Sequence, residues 1–143
     1  MMRHGIVILC AVVCLSPGLQ AQTGEATMLE PGQVLERQLA GVQSHEYLTA
    51  LETGQYAKLL LDQNSINVVV SCFGPDGILR FEADSSGIGD TEIAELIGDA
   101  TGMYRFRVTA AEPMAPPGRY SIVLGEITSA TERHRNRVVR KDD

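Results

Sequence analysis

The sequence predicts an all-β protein, an antiparallel sandwich of about eight strands, and three observations carry that prediction. Apolar residues recur at every second position in one segment after another, as a half-buried strand requires. Turn-forming clusters of Gly, Pro, Asn and Asp interrupt these segments at regular intervals. Aromatic residues make up only 5% of the chain and Trp is absent, so a core must be built from Val, Ile and Leu with a few Tyr and Phe. A closed barrel would show the same spacing. At 143 residues and 44% hydrophobic content the chain suits a single domain.

The N-terminus stands apart. Arg3, the apolar Gly5–Leu15 and the small Ala21 before Gln22 have the pattern of a secretory signal over residues 1–21, with cleavage between Ala21 and Gln22. Gly5–Leu15 is short for a membrane span, and Ser16-Pro17-Gly18 breaks it. Neither Cys10 nor Cys14 has the small preceding residue that a lipoprotein anchor needs. Their removal leaves Cys72 alone, so no intrachain disulfide forms in the mature chain.

Residues 22–28 are polar and are expected to be a flexible lead-in, closed by the turn Leu29-Glu30-Pro31-Gly32. The sandwich is expected over residues 29–127. Gln33–Leu39 is an edge strand, its Arg37 discouraging pairing with another molecule. Ser44–Leu51 has a mixed pattern, for which Tyr47 and Leu51 are taken as inward. Gln55–Gln63 sets Ala57, Leu59 and Leu61 against Tyr56, Lys58 and Leu60.

Ile66–Gly77 is the central strand and its turn. Ile66, Val68, Val70 and Cys72 share one face, and Gly74-Pro75-Asp76-Gly77 reverses the chain into Ile78–Asp84. There Leu79, Phe81 and Ala83 alternate with Arg80, Glu82 and Asp84. Thr91–Gly98 fits either a short helix capped by Asp90 or Thr91, or a strand, and the strand agrees better with its neighbours. Met103–Ala111 and Arg119–Ile127 alternate throughout, separated by the proline-rich Glu112–Gly118.

Charge is unevenly spread. Gln22–Ile127 holds fifteen Asp and Glu against six Lys and Arg, a net −9, which disfavours nucleic acid as a partner. Thr128–Asp143 holds five basic and three acidic residues, a net +2. Having no aromatic residue for base stacking, this basic polar tail is expected to be a solvated helix, with Thr131 able to cap it. Val138 and Val139 are its only large apolar residues, so it is expected to be dispensable for the sandwich.

The segments LEPGQVLERQL, SHEYLTALETGQYAKLLLDQ, INVVVSCFGPDG, ATGMYRFRV and APPGRYSIVLGEI together resemble the bacterial pre-peptidase C-terminal domain family. The likeness covers about residues 29–127. It is closest to the variant at the start of secreted proteins that continue into tetratricopeptide repeats and a caspase-like domain. In those proteins a stretch like Ala130-Thr131-Glu132 opens the helical part. The resemblance implies a jelly-roll-like sandwich serving as an accessory module of exported proteins, with Tyr56, Tyr104 and Tyr120 covering the sandwich ends.

No residue set points to a reaction. His45 and His134 are the only histidines beyond the signal, and neither has a Ser or Cys at a spacing that suggests a nucleophile pair. Cys72, on an apolar strand face without cationic neighbours in sequence, is a buried hydrophobe rather than a reactive thiol. Asp84, Asp90 and Glu92 flank a loop and could offer oxygens to calcium, which relatives in the family bind. Their spacing is not that of an EF-hand, and a solvated acidic loop is the simpler reading. Tyr56, facing away from Ala57 and Leu59, is the best candidate for stacking on a sugar.

The expectation is therefore a secreted or periplasmic module without catalytic residues, metal or cofactor, and without membrane attachment once the signal is removed. Its partner would be another protein or an extracytoplasmic polymer. A carbohydrate-binding module and a folding or solubility aid to a catalytic domain are the alternatives.

Overall fold

The computed structural model describes residues 25–141. Eight strands of five or more residues carry the fold: β2 (Val34–Leu39), β3 (Ser44–Leu51), β4 (Gln55–Asp62), β5 (Val68–Phe73), β6 (Leu79–Ala83), β7 (Thr91–Ile97), β8 (Gly102–Ala110) and β9 (Gly118–Leu124). Two short strands, β1 (Thr27–Met28) and β10 (Thr128–Ser129), and the helix α1 (Glu132–Lys141) complete it. Sheet A has the order β1-β3-β8-β5-β6, and in sheet B β4 lies between β7 on one side and β9, then β2, on the other. The two sheets are distinct layers, so the fold is a sandwich and not a closed barrel.

Between the layers, alternate residues form one core. β5 contributes Val68, Val70 and Cys72, β4 contributes Ala57, Leu59 and Leu61, and β8 contributes Tyr104, Phe106 and Val108. β3 turns Tyr47, Thr49 and Leu51 inward, resolving its mixed pattern. β2 is the edge of sheet B, paired only with β9 among the described strands. Gly77, at φ 79°, takes the left-handed conformation that the Pro-Asp-Gly turn needs, and its amide donates to the Gly74 carbonyl at 2.9 Å.

Four expectations are corrected. Order begins within the supposed lead-in: Thr27–Met28 pair with Tyr47–Leu48, and this ladder is parallel. Leu29 is buried and donates its amide to the Leu48 carbonyl, which holds the segment to the sheet edge. The alternation along β6 is broken, because Cys72 faces Phe81 while Phe73 faces Leu79. Arg80 is thus the extra residue of a bulge, which turns Leu79 to the outer face and leaves only Phe81 and Ala83 inward.

The third correction concerns the tyrosines. Tyr104 and Tyr120 lie inside the core, and Tyr56 lies on the outer face of sheet B, so none simply caps an end. The fourth concerns the tail. Thr128–Ser129 extend the ladder along β4, with one residue looped out between β9 and β10, since Leu59 faces Leu124 and Tyr56 faces Thr128. Thr131 caps α1 as expected: its hydroxyl accepts from the His134 amide, while His134 Nδ1 accepts from the Thr131 amide, both at 3.3 Å. The helix then packs on the sheet instead of standing in solvent.

β7 settles the ambiguous segment as a strand. Its whole length pairs with β4, placing Glu92, Ala94 and Leu96 inward opposite Leu61, Leu59 and Ala57. Seven residues could not sustain an isolated helix, and the ladder satisfies their backbone groups instead.

Candidate interaction face

The outward residues of sheet A follow from its registers. Met28 pairs with Leu48, Leu48 with Arg105, Arg105 with Phe73 and Phe73 with Leu79, so one row crosses all five strands. Met28 is 50% exposed, Leu79 46%, and Met103, in the next row beside Ala50, 42%. On the other flank Glu46, Arg107, Ser71 and Glu82 form a polar row. There Arg107 Nε lies 2.8 Å from Glu46 Oε1 and Ser71 Oγ donates to Glu82 at 3.2 Å.

Arg105 reaches the same carboxylate at 3.5 Å, so two arginines share Glu46. The Arg107 guanidinium also sits 5.1 Å from the Phe73 ring centre. A shallow hollow of about 350 Å³, lined by Leu48, Phe73, Pro75, Met103, Arg105 and Arg107, opens in this face. Aromatic, Met and Arg side chains around such a hollow are the composition of a protein-binding surface.

The outer face of sheet B is different because α1 covers part of it. His134 stacks on Tyr56 with ring centres 3.8 Å apart and planes 11° from parallel. The Tyr56 hydroxyl donates to Glu95, which Arg137 approaches at 2.8 Å. Burial first, then the bond to Glu95 and its charge, push the Tyr56 phenol up to about 12. Tyr56 is 7% exposed, so the proposed sugar platform is already occupied by the chain's own histidine.

The remaining candidates are scattered. His45 Nδ1 and the Tyr120 hydroxyl are 2.6 Å apart, and the Tyr47 hydroxyl meets Tyr120 at the same distance. Burial, then the Arg37 charge, lower the His45 pKa, and burial raises that of Tyr120, so a neutral imidazole is tied to a protonated phenol. Burial pushes the Cys72 thiol up to about 12, which makes it unreactive.

Asp84 and Asp90 are exposed, but Glu92 is fully buried on the inner face of β7. The amides and hydroxyls of Ser85 and Ser86 all donate to its carboxylate at 2.8–2.9 Å. The solvated-loop reading is therefore corrected for Glu92, whose lone pairs are spent on its own loop. Among the described residues no group of three or more His, Cys, Asp or Glu is placed to hold a metal ion. Ala21 and Gln22, the expected cleavage point, lie outside the described residues.

Sequence reasoning missed the face of sheet A because its members are far apart along the chain and meet only through register. The exposed Met28 and Met103 were the available signal.

No protein-family model matches the chain, and a search of curated proteins gives no significant match. Solved structures do match. The pre-peptidase C-terminal domain of a collagenase from Bacillus anthracis superposes with a TM-score of 0.57 at 12% identity, over 73% of this chain and 99% of that one. PliG, a periplasmic inhibitor of g-type lysozyme, matches from Aeromonas hydrophila at 0.56 and 17% identity, over 73% of this chain and 98% of that one. PliG from Salmonella Typhimurium matches at 0.53 and 19% identity, over 73% and 100%. What the chain has in common with these proteins is the fold, a sandwich like that of a pre-peptidase C-terminal domain.

Proposed function

We infer that the chain is an exported, non-catalytic module that binds another protein through the outer face of sheet A. The observation that carries this reading is the asymmetry of the two outer faces. Sheet B is partly covered by α1, whereas sheet A presents Met28, Leu48, Phe73, Leu79 and Met103 around two arginines that share one carboxylate. Such a row costs solubility unless a partner covers it. Two of the similar structures are inhibitors of g-type lysozyme, which supports a protein as partner for a sandwich of this kind. Export rests on Arg3, Gly5–Leu15 and the Ala21–Gln22 junction, and mass spectrometry of the mature protein is expected to find Gln22 at its N-terminus.

The test is a photo-crosslinking amino acid placed at Met103, with Glu126 as an exposed control position. In intact cells the Met103 site is expected to capture a defined protein that Glu126 does not, and Arg105→Glu is expected to abolish the capture. Binding to a polysaccharide array without any protein cross-link would instead establish the carbohydrate reading.

A further inference from the structure

The sandwich is open along one side, where β6 ends sheet A and β7 ends sheet B. Between these two edges lies a cleft of about 410 Å³, within the range of roughly 300–1,000 Å³ that small-molecule sites occupy. Phe81, Ala83, Leu96 and Tyr104 supply apolar walls, and Val138 of α1 closes one lip. The bulge at Arg80 helps to shape it by keeping Phe81 and Ala83 turned inward on β6.

The polar groups lining this cleft are overwhelmingly acidic. Glu82, Asp84, Glu92, Glu95 and Asp99 line it, but Arg137 pairs with Glu95 at 2.8 Å and the Ser85 and Ser86 donors occupy Glu92. The acidic rim therefore rests on the exposed Glu82 and Asp84, and the cationic residue of the lining is Arg80. That guanidinium is already engaged, 3.0 Å from Asp76 and 2.9 Å from Asp99. Burial would raise the Asp99 carboxyl, but the Tyr104 hydroxyl and Arg80 outweigh it and hold its pKa below the ordinary value. The Ser85 and Ser86 donors do the same for Glu92. A concave site lined by one sign of charge over low-dielectric walls concentrates the opposite charge.

We propose that this cleft binds a small organic cation with an apolar body, an arylalkyl or alkyl amine by chemical class. The body fills the space between Phe81, Leu96 and Tyr104, and the ammonium group lies at the rim beside Glu82 and Asp84. This site lies at the β6 edge of sheet A, shares only Glu82 with the polar row of that sheet's outer face, and does not depend on that face's role.

The experiment titrates the full chain with 4-phenylbutylamine, 4-phenylbutanol and 4-phenylbutyrate, read by amide chemical shifts. The amine is expected to bind about tenfold more tightly than the alcohol, a difference of about 1.4 kcal/mol, and the carboxylate most weakly. Shifts are expected to centre on Phe81, Ala83 and Leu96. Glu82→Gln combined with Asp84→Asn, both exposed positions, is expected to remove the amine's advantage and leave the alcohol's affinity unchanged. Ala83→Phe is expected to exclude all three ligands, and if that variant fails to fold the charge variant alone gives the answer. Equal affinities for amine and alcohol, shifts centred on Phe73 and Met103, or no binding at millimolar concentration would each overturn the proposal.

Discussion

Glu92 shows how far a residue's surroundings can depart from its type. A carboxylate with no exposure on the inner face of a strand would cost several kcal/mol if left alone. Four donors from Ser85 and Ser86 offset that cost and lower its pKa despite the burial. Glu92→Gln keeps the shape but offers an amide group to donors that need an acceptor. It is expected to cost about 2–3 kcal/mol at neutral pH, measured by urea denaturation. The folded carboxyl binds its proton less readily than the unfolded one, so its contribution is full above the ordinary Glu pKa and is lost as pH falls through the depressed folded value. The difference between parent and variant is therefore expected to shrink in acid. None of this was legible in the sequence, where Glu92 has the appearance of one more loop acid, whereas the burial of Cys72 followed directly from its place among Ile66, Val68 and Val70.

At the level of elements, α1 is the part that sequence reasoning undervalued. Two valines are too few to anchor a helix by apolar burial alone. The anchoring comes from a ring stack and an ion pair with a buried carboxylate, His134 on Tyr56 and Arg137 on Glu95, whose partners lie far back along the chain. Stacked rings contribute about 0.5–1.5 kcal/mol, and a half-exposed arginine rather less than a fully buried one. Deleting everything after Ile127 removes both contacts together with the β10 ladder. It is expected to lower the melting temperature by roughly 5–10 °C, using about 4–8 °C per kcal/mol for a domain of this size. His134→Ala alone is expected to give a fraction of that shift. The alternating strands were legible because each carries its period in its own residues. The bulge at Arg80 and the parallel β1 were not, since both depend on what the neighbouring strand presents.

Across the whole molecule, the two sides of sheet A should respond to substitution in opposite ways. Val70→Asp places a carboxylate between the layers at a fully buried position and is expected to unfold the domain, because the cost of several kcal/mol approaches its whole stability. Met103→Asp, on the exposed side, is expected to leave the melting temperature within a degree or two while weakening partner capture. Thermal melts of the two variants together check the assignment of faces. The strand order has a further, kinetic consequence. Only β5 and β6 form a hairpin between neighbours in sequence within sheet A, while Leu35 must find Ile122 and Ser44 must find Thr109 before the other ladders close. Chains dominated by such distant pairings fold in milliseconds to seconds. Throughout that interval Cys72 is an ordinary thiol, unprotected by the layers that later enclose it. Refolding from denaturant under oxidising conditions is therefore expected to yield a fraction of disulfide-linked dimer that rises with protein concentration and disappears in Cys72→Val. The native protein, once closed, should be inert to the same oxidant, so the hazard lies in assembly rather than in service.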